Sequence, residues 1–277
     1  MSADGKAMTG ARELRVDGVD VDLGGVRILR DVTFDVRPGE VFGIVGPNGA
    51  GKTTILNVIG GIVRPSAGTV RYGDVDLCRV RPHEMREHGI GRSLQSTHYF
   101  RDLTALQLVA LGELPNSVMG ALRFAGHRGR RRKAEPAVDH TGMEVLTRFG
   151  LQQYADRPLS ELSSAVQKLV DIARAVVAGG ELLLLDEPTS GVSGHERGAI
   201  GEALKRLRTL GRTIVLIDHD PGFVTGNCDR LMAMNFGEVL NVGLPDEVMN
   251  SEAVKRSYLG ETVDLDEVSV TDVGVEK

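Results

Sequence analysis

One stretch near the start of the chain constrains the fold more than any other, because it matches the pattern G-x-x-x-x-G-K-[ST] at every position. It reads Gly46-Pro47-Asn48-Gly49-Ala50-Gly51-Lys52-Thr53. The apolar segment Val41–Val45 precedes it and Thr54–Ile59 follows, which predicts a buried strand, a loop and the opening of a helix. The alternative is a glycine-rich turn without a ligand, and the strand-loop-helix setting argues against it.

This phosphate-binding loop predicts that the chain binds a nucleoside triphosphate. Glycines let successive backbone N–H groups point inward at phosphates, and the helix N-terminus adds partial positive charge. Lys52 is expected to reach the β- and γ-phosphates, and the Thr53 hydroxyl to ligate Mg²⁺. The rest of the predicted nucleotide-binding set from this segment is Gly46, Pro47, Asn48, Gly49, Ala50, Gly51 and Thr54.

Composition places the 277-residue chain among ordinary globular proteins, with 41% hydrophobic and 26% charged residues. The net charge of -5 gives no general case for nucleic-acid binding. The two cysteines form no pattern and are expected to be reduced thiols in a cytosolic protein. No run approaches the about 18 apolar residues of a membrane span, and Met1–Arg12 lacks the apolar core of a signal peptide. Any link to a membrane is therefore expected to come through a partner.

The order of sequence patterns predicts an α/β fold with an antiparallel layer at its start. Alternating apolar residues predict an edge strand at Leu14–Leu23 and a second strand at Val26–Val36, before the chain enters the strand that leads to the loop. Thr69–Tyr72 is a further short strand. From 96 to 177 helical periodicity dominates, which predicts an inserted helical subdomain. We expect a loose arm at 1–11 and a disordered tail at 261–277.

Within the helical segment, Arg128–Lys133 carries five basic residues in six positions. One interpretation is contact with phosphates or with an anionic lipid surface. The other, which we favour, is a solvated helix or loop, because the run lacks aromatic partners for stacking on bases.

Two apolar segments end in residues suited to phosphate chemistry. Four leucines lead into Asp186 and Glu187, and the second segment, Thr213–Ile217, leads to His219. A run that is apolar on both faces belongs in the middle of a parallel sheet. Asp186 can hold Mg²⁺ opposite Thr53, and Glu187 can accept a proton from an attacking water. His219 is either a structural histidine or a sensor of the γ-phosphate.

Together these motifs resemble the nucleotide-binding domain of ATP-binding cassette (ABC) proteins over about residues 12–260. Gly46–Thr53 looks like the Walker A motif, Leu182–Asp186 like Walker B, and Ser190–Ser193 falls where the D-loop lies. The resemblance makes Glu187 the catalytic glutamate and His219 the switch histidine. Gln95 matches the Q-loop glutamine, which implies a catalytic role and a contact to the metal.

The resemblance implies a P-loop NTPase (RecA-like) core with a mostly parallel sheet, the N-terminal antiparallel layer and the inserted helices. The core would comprise 12–95 and 178–260, and the helical subdomain 96–177. Phe100–Thr104 and Ala253–Gly260 are similar to the ATPase subunits of branched-chain amino acid importers, and the lipopolysaccharide exporter ATPase ends in nearly the same way.

The signature motif of the family, Leu-Ser-Gly-Gly-Gln, is altered here, since the chain reads Leu162-Ser163-Ser164-Ala165-Val166. In the family this loop contacts the γ-phosphate of a partner's nucleotide, so Ser163 and Ala165 belong to the expected nucleotide contacts. Ala165 adds a methyl group where close approach or a positive φ is needed. We expect a misfit of about 1–3 kcal/mol at the site opposite this loop.

A second departure is Leu23, which aligns with the aromatic residue that stacks on adenine in the family. Losing such a stack costs about 1–3 kcal/mol, so the preference for ATP is expected to weaken. These departures favour the hypothesis that the chain pairs with a different ATPase subunit. The nucleotide site built from its own Walker motifs and the partner's signature motif would be active. The other site, which the altered signature segment of this chain closes, would hydrolyse ATP slowly.

The family also implies partners and a location. We expect an ATP- and Mg²⁺-dependent ATPase at the inner face of the cell membrane, with a second ABC ATPase subunit, permease subunits and a solute-binding protein, and no nucleic acid. The alternatives are a hydrolysis-poor regulatory subunit in a heterodimer, an exporter ATPase, and a non-transport ABC ATPase acting on ribosomes or DNA. The basic run at 128–133 is the one feature in favour of the last.

Overall fold

The structure of the protein is a computed structural model that describes residues 12–94, 100–112 and 136–259. At 136–140 and at 259 it describes the backbone alone. The predictions for Gln95, for the basic run Arg128–Lys133, for the arm at 1–11 and for the tail at 261–277 therefore lie outside the described residues.

Four strands near the start of the chain form an antiparallel sheet in the order β2-β1-β4-β5. Its members are β1 (Leu14–Leu23), β2 (Val26–Val36), β4 (Ala67–Tyr72) and β5 (Val75–Asp76). The prediction that Leu14–Leu23 is an edge strand was wrong, because β1 pairs with β2 on one side and with β4 on the other. The second partner, β4, lies far from β1 along the chain. The alternation of apolar and polar residues within β1 does not indicate this pairing.

A second sheet has six strands in the order β10-β9-β3-β8-β7-β6. Neighbours from β9 to β6 run parallel, and β10 pairs antiparallel with β9. The strands are β3 (Val41–Val45), β6 (Ile90–Arg92), β7 (Leu182–Asp186), β8 (Thr213–Ile217), β9 (Arg230–Asn235) and β10 (Glu238–Gly243). The prediction of a mostly parallel core sheet beside an antiparallel layer is confirmed.

The leucines of β7 face two separate hydrophobic clusters. Leu183 and Leu185 pack on one side of the sheet, while Leu182 and Leu184 pack on the other. Because side chains alternate along a strand, a run that is apolar at every position is buried on both faces. This burial makes β7 an internal strand between β8 and β6, and its carboxyl end lies at the same edge of the sheet as those of β8 and β3.

Helices cover both faces of the core sheet and make up much of the described part of 96–177. The helices among the described residues are α1 (Lys52–Ile59), α2 (Ala105–Leu111), α3 (Pro136–Arg148), α4 (Ser164–Val177), α5 (Arg197–Thr209), α6 (Pro221–Asn227), α7 (Pro245–Asn250) and α8 (Glu252–Leu259). Helix α2 begins at a capping box in which Thr104 and Gln107 each bond the other's backbone N–H. In the part of the chain that the structure describes, no helix is long and apolar enough to cross a membrane.

Candidate functional site

The phosphate-binding loop joins the end of β3 to the start of α1 and depends on backbone that only glycine adopts easily. Gly46 and Gly51 have φ values of 149° and 96°. A Cβ atom on Gly46 would lie 2.2 Å from the Met234 carbonyl oxygen, and one on Gly51 would lie 2.6 Å from the side chain of Leu29. The neighbouring strands therefore leave room for backbone alone, and the loop can wrap a phosphate chain at the N-terminus of α1.

Lys52 lies inside this loop and is only 6% exposed. Its Nζ donates hydrogen bonds of 2.8 Å to the carbonyl oxygens of Gly46 and Pro47. Burial lowers the pKa of Lys52, and the charges of Glu187 and Asp186 oppose that effect. The ammonium group is thus held by weak neutral acceptors close to two carboxylates, an arrangement in which phosphate oxygens would be stronger partners.

Asp186 ends β7 and is almost fully buried, and its N–H donates to the Ser93 hydroxyl at 3.1 Å. The guanidinium of Arg92 lies 3.9 Å from its carboxylate and donates a hydrogen bond of 2.6 Å to Asn57. A buried carboxylate at the end of β7 and the hydroxyl of Thr53 in the first turn of α1 are hard oxygen ligands. This donor set fits Mg²⁺ rather than a thiophilic metal.

Glu187 follows directly and has a backbone conformation unusual for a residue with a side chain, with φ at 51°. Three contacts hold it there. Its N–H donates to the Ile217 carbonyl at 2.8 Å, and its own carbonyl accepts from Lys168 Nζ at 3.1 Å. Its Oε1 lies 2.7 Å from Nε2 of His219. The left-handed backbone turns the Glu187 side chain out of the sheet toward His219, so two of the three predicted catalytic side chains meet.

A buried hydrogen-bond network holds the turns after β7 and β8 together. The Thr189 hydroxyl bonds the Asp218 carboxylate at 2.7 Å, and the Thr189 N–H donates to the same carboxylate at 3.1 Å. The carboxylate also accepts from the N–H of Asp220 at 3.1 Å. Because Asp218 and Thr189 are both buried, this network fixes the spacing between the Glu187 and His219 segments.

The altered signature segment forms the start of α4. Ser163 is the N-cap of this helix, and its hydroxyl accepts from the Val166 N–H at 3.5 Å. The same hydroxyl lies beside the carboxylate of Glu196, which accepts from the Ser193 hydroxyl at 2.5 Å. The Ser193 hydroxyl, and after it the Ser163 hydroxyl, hold the pKa of Glu196 below its ordinary value. The signature serine thus lies beside a carboxylate of its own chain.

Position 165 was expected to favour glycine for close backbone approach or for a positive φ, and the structure excludes the second reason. Ser164 and Ala165 lie in the first turn of α4, and neither has positive φ. The methyl group of Ala165 is almost fully buried. A backbone strain from positive φ therefore does not arise within this chain, and the exposed side chain that a partner would meet here is that of Ser164.

Leu23 lies at the tip of the β1–β2 hairpin, where it pairs with Val26 and is 48% exposed. The structure thus groups the predicted residues into three sets. Lys52, Asp186, Glu187 and His219 meet at the carboxyl edge of the core sheet. Ser163 and Ala165 start α4, and Leu23 ends the hairpin.

Sequence reasoning missed the contacts of Lys168, Thr189 and Asp218. Lys168 carries no motif, and its bond to the carbonyl of Glu187 spans 19 positions of the chain. For Asp218 a signal existed, since it directly precedes His219 at the end of an apolar strand. An acidic residue at that position predicts a buried network only once its partner, Thr189, is known.

Comparison with known proteins agrees with this geometry. Residues 29–190 match the family described as ABC transporter. The high-affinity branched-chain amino acid transport ATP-binding protein LivG of Escherichia coli K12 is 32% identical over 249 residues, which cover 90% of this chain and 98% of LivG. The lipopolysaccharide export system ATP-binding protein LptB of Haemophilus influenzae is 32% identical over 240 residues, covering 86% of this chain and 93% of LptB.

Among solved structures, the ADP conformation of MJ1267, an ATP-binding cassette of an ABC transporter, superposes with a TM-score of 0.80. It is 28% identical in sequence, and the match covers 90% of this chain and 99% of MJ1267. The family match spans more than half of the chain, and the relatives and the solved cassette match it over nearly their whole lengths. The protein therefore belongs to the ABC transporter family and is an ATPase subunit of that family.

Proposed function

We propose that this chain hydrolyses ATP to drive the uptake of branched-chain amino acids, or of a similar small polar solute, through separate membrane permease subunits. The observation that carries the hydrolytic part is the 2.7 Å contact between Glu187 and His219 at the same sheet edge as the phosphate-binding loop. The 32% identity to LivG over nearly the whole of that protein supports uptake of this class of solute.

In this proposal each residue of the site has a separate role in binding the nucleotide or in hydrolysis. The loop amides and Lys52 bind the β- and γ-phosphates, and Thr53 and Asp186 hold Mg²⁺. The metal, when bound, neutralises charge that develops on the phosphate oxygens. Glu187 accepts a proton from the attacking water, and His219 orients its carboxylate through the Oε1 contact. Gln95 would have the roles that the resemblance implies, a catalytic role and a contact to the metal.

The proposal includes partners. A second ABC ATPase subunit, identical or different, would place its signature segment over the nucleotide bound here, while Ser163 and Ala165 would face the partner's nucleotide. Permease subunits would anchor the pair at the cytoplasmic face of the membrane, and a solute-binding protein would deliver the solute. We keep the division into a RecA-like core, 12–95 and 178–260, and a helical subdomain, 96–177, as part of the proposal.

A second candidate is a subunit of a heterodimer in which one of two nucleotide sites is degenerate. The position of Glu196 beside Ser163 favours it, because a carboxylate beside the signature serine repels the phosphate that this serine would contact. An exporter ATPase is a third candidate, which the identity to LptB supports.

Two measurements test the proposed function. The first is steady-state ATPase activity of the purified chain, alone and with its co-purifying permeases, with Glu187→Gln as the blank. Mg²⁺-dependent turnover that this substitution abolishes is expected. The second is accumulation of labelled leucine in vesicles that contain the complex and ATP. Turnover without leucine uptake would contradict the solute class, and turnover that survives Glu187→Gln would contradict the catalytic assignment.

A further inference from the structure

The turn between β9 and β10 contains an aromatic residue in an unfavourable backbone conformation. Phe236 and Gly237 form a two-residue loop with φ values of 44° and 84°. Positive φ at both positions is characteristic of a type I′ turn, whose first position favours Asn, Asp or Gly. A bulky residue with positive φ is an outlier in folded proteins, and such outliers cluster at functional sites.

Packing does not account for the aromatic side chain either. Phe236 is 65% exposed, so the hairpin gains little from burying it. An asparagine at this position would suit the turn better and would leave less apolar surface in water. Single exposed hydrophobic residues are common. One that also strains the backbone of a tight turn indicates that its side chain contacts a ligand or a partner.

The position of the turn points to the nucleotide. The N–H of Gly237 donates to the carbonyl of Ala50 in the phosphate-binding loop at 3.1 Å, and its carbonyl accepts from the Arg30 N–H at 2.9 Å. The Ile28 carbonyl on β2 lies 2.2 Å from a Cβ built on Gly237 and 3.4 Å from one built on Gly51. The turn is therefore pinned between β2 and the end of the loop where α1 begins.

Two more exposed apolar side chains lie at the tip of the adjoining hairpin, Leu23 at 48% and Val26 at 60%. With Phe236 they form an exposed apolar group on two hairpins beside the loop. Tyr258 is a second exposed aromatic near the loop, but its hydroxyl is bonded to the backbone of Gly46 at the opposite end of it.

We propose that Phe236 stacks on the base of the bound nucleotide and is a principal determinant of base affinity in this chain. The proposal rests on the proposed function, since it requires ATP at the phosphate-binding loop. The base of a nucleotide held by its phosphates extends away from the loop as a flat ring, and an aromatic side chain stacks on such a ring. Leu23 and Val26, at the tip of the adjoining hairpin, have aliphatic side chains, which cannot stack.

The test is equilibrium binding of ATP and of inorganic tripolyphosphate, which has the phosphates without the base, to the full chain and to Phe236→Asn. The substitution installs a residue that a type I′ turn favours, so its melting temperature should equal or exceed that of the wild type. We expect the Kd for ATP to rise roughly 5- to 150-fold, the range of a lost stack. The Kd for tripolyphosphate should change by less than about twofold.

Leu244→Asn is the matched control, because Leu244 is an exposed apolar residue of the segment between β10 and α7. It should leave both Kd values unchanged. Adding Leu23→Tyr to Phe236→Asn should restore part of the ATP affinity, because a tyrosine at the tip of the adjoining hairpin offers a new aromatic face. Absence of recovery would count against placing both residues at one base site.

Two results would overturn this inference and leave the proposed function intact. One is an unchanged Kd for ATP in Phe236→Asn, and the other is an equal loss of affinity for ATP and tripolyphosphate, which would mean that the turn acts only by supporting the loop. If the wild-type chain binds neither ligand, the proposed function fails and this inference fails with it.

Discussion

Replacing Lys168 by methionine should slow ATP hydrolysis without weakening ATP binding. Lys168 lies on α4, and its Nζ donates to the carbonyl of Glu187 at 3.1 Å. This bond is one of three contacts that hold Glu187 at a φ of 51°. Methionine keeps the length and apolar stem of the side chain but removes the charge and the donor. The substitution therefore tests the bond rather than the packing of α4.

The expected size follows from two opposing free energies. A left-handed backbone costs a residue with a side chain about 1–2 kcal/mol. A hydrogen bond from a charged donor contributes about 1.5–3 kcal/mol, and water can replace part of it because Lys168 and Glu187 are only partly buried. The net loss of about 1–2 kcal/mol is comparable to the strain that the bond opposes. If this free energy is lost from the transition state for hydrolysis because Glu187 is misplaced, kcat falls about 5- to 30-fold.

The assay is steady-state Mg²⁺-ATPase activity of the assembly that turns over ATP, with kcat and KM determined separately. Lys168→Met should lower kcat by this factor and change KM by less than about twofold. Lys168→Arg keeps a charged donor and should retain most of the activity. Lys205→Met is the control, since Lys205 is an exposed lysine of α5 paired with Glu202 at 3.0 Å.

Three outcomes would refute this reasoning. The first is a kcat for Lys168→Met within about twofold of the wild type. The second is a parallel loss of ATP affinity, which would indicate a disturbed loop rather than a misplaced Glu187. The third is an equal loss in Lys205→Met, which would indicate a general effect of removing a positive charge.

Three further predictions concern other parts of the site. His219→Ala should lower single-turnover hydrolysis about 10²-fold or more while the Kd for ATP stays near that of the wild type, because Glu187 loses its 2.7 Å partner. Replacing both Ser164 and Ala165 by glycine should raise kcat about 5-fold or more, yet lower the melting temperature, since glycine costs about 1 kcal/mol per residue in a helix. Because burial holds the pKa of Lys52 below 10.5, its positive charge is lost as pH rises through that lowered pKa. The Kd for ATP, measured by titration at increasing pH, should therefore rise before pH 10.5 is reached, and Lys52→Arg should lack this step.

Prediction from the sequence succeeded where local pattern and local chemistry coincide. The phosphate-binding loop needs consecutive residues of defined type between a strand and a helix, so its position and conformation can be read from the chain. The four leucines before Asp186 likewise predict a strand buried on both faces, and the two hydrophobic clusters confirm it. Glu187 was placed at the site because it follows the strand that ends in Asp186, and His219 because the carboxyl ends of parallel strands bind ligands, but their contact was not predicted.

Prediction failed where the answer depends on a distant partner or on the backbone of one residue. The edge strand at Leu14–Leu23 turned out to be internal, since the pairing of β1 with β4 has no trace in the alternation of β1. Positive φ, one of the two reasons for expecting glycine at position 165, is absent there, because Ser163 caps a regular helix that begins with Ser164. In both cases a general pattern was applied to a position whose geometry is set by its neighbours.

By itself, the sequence determined the fold class, the loop that takes the phosphates and the acidic and histidine side chains beside it. These follow from periodicity and from residue type, which are local properties of the chain. Only the tertiary structure decided that Lys168 reaches the carbonyl of Glu187, that Ser163 lies beside Glu196, and that Phe236 lies beside the loop. Each of these depends on which segments the packed sheets and helices bring together, and the physical reason is that hydrogen bonds and stacking act over a few ångströms in space, whatever the separation along the chain.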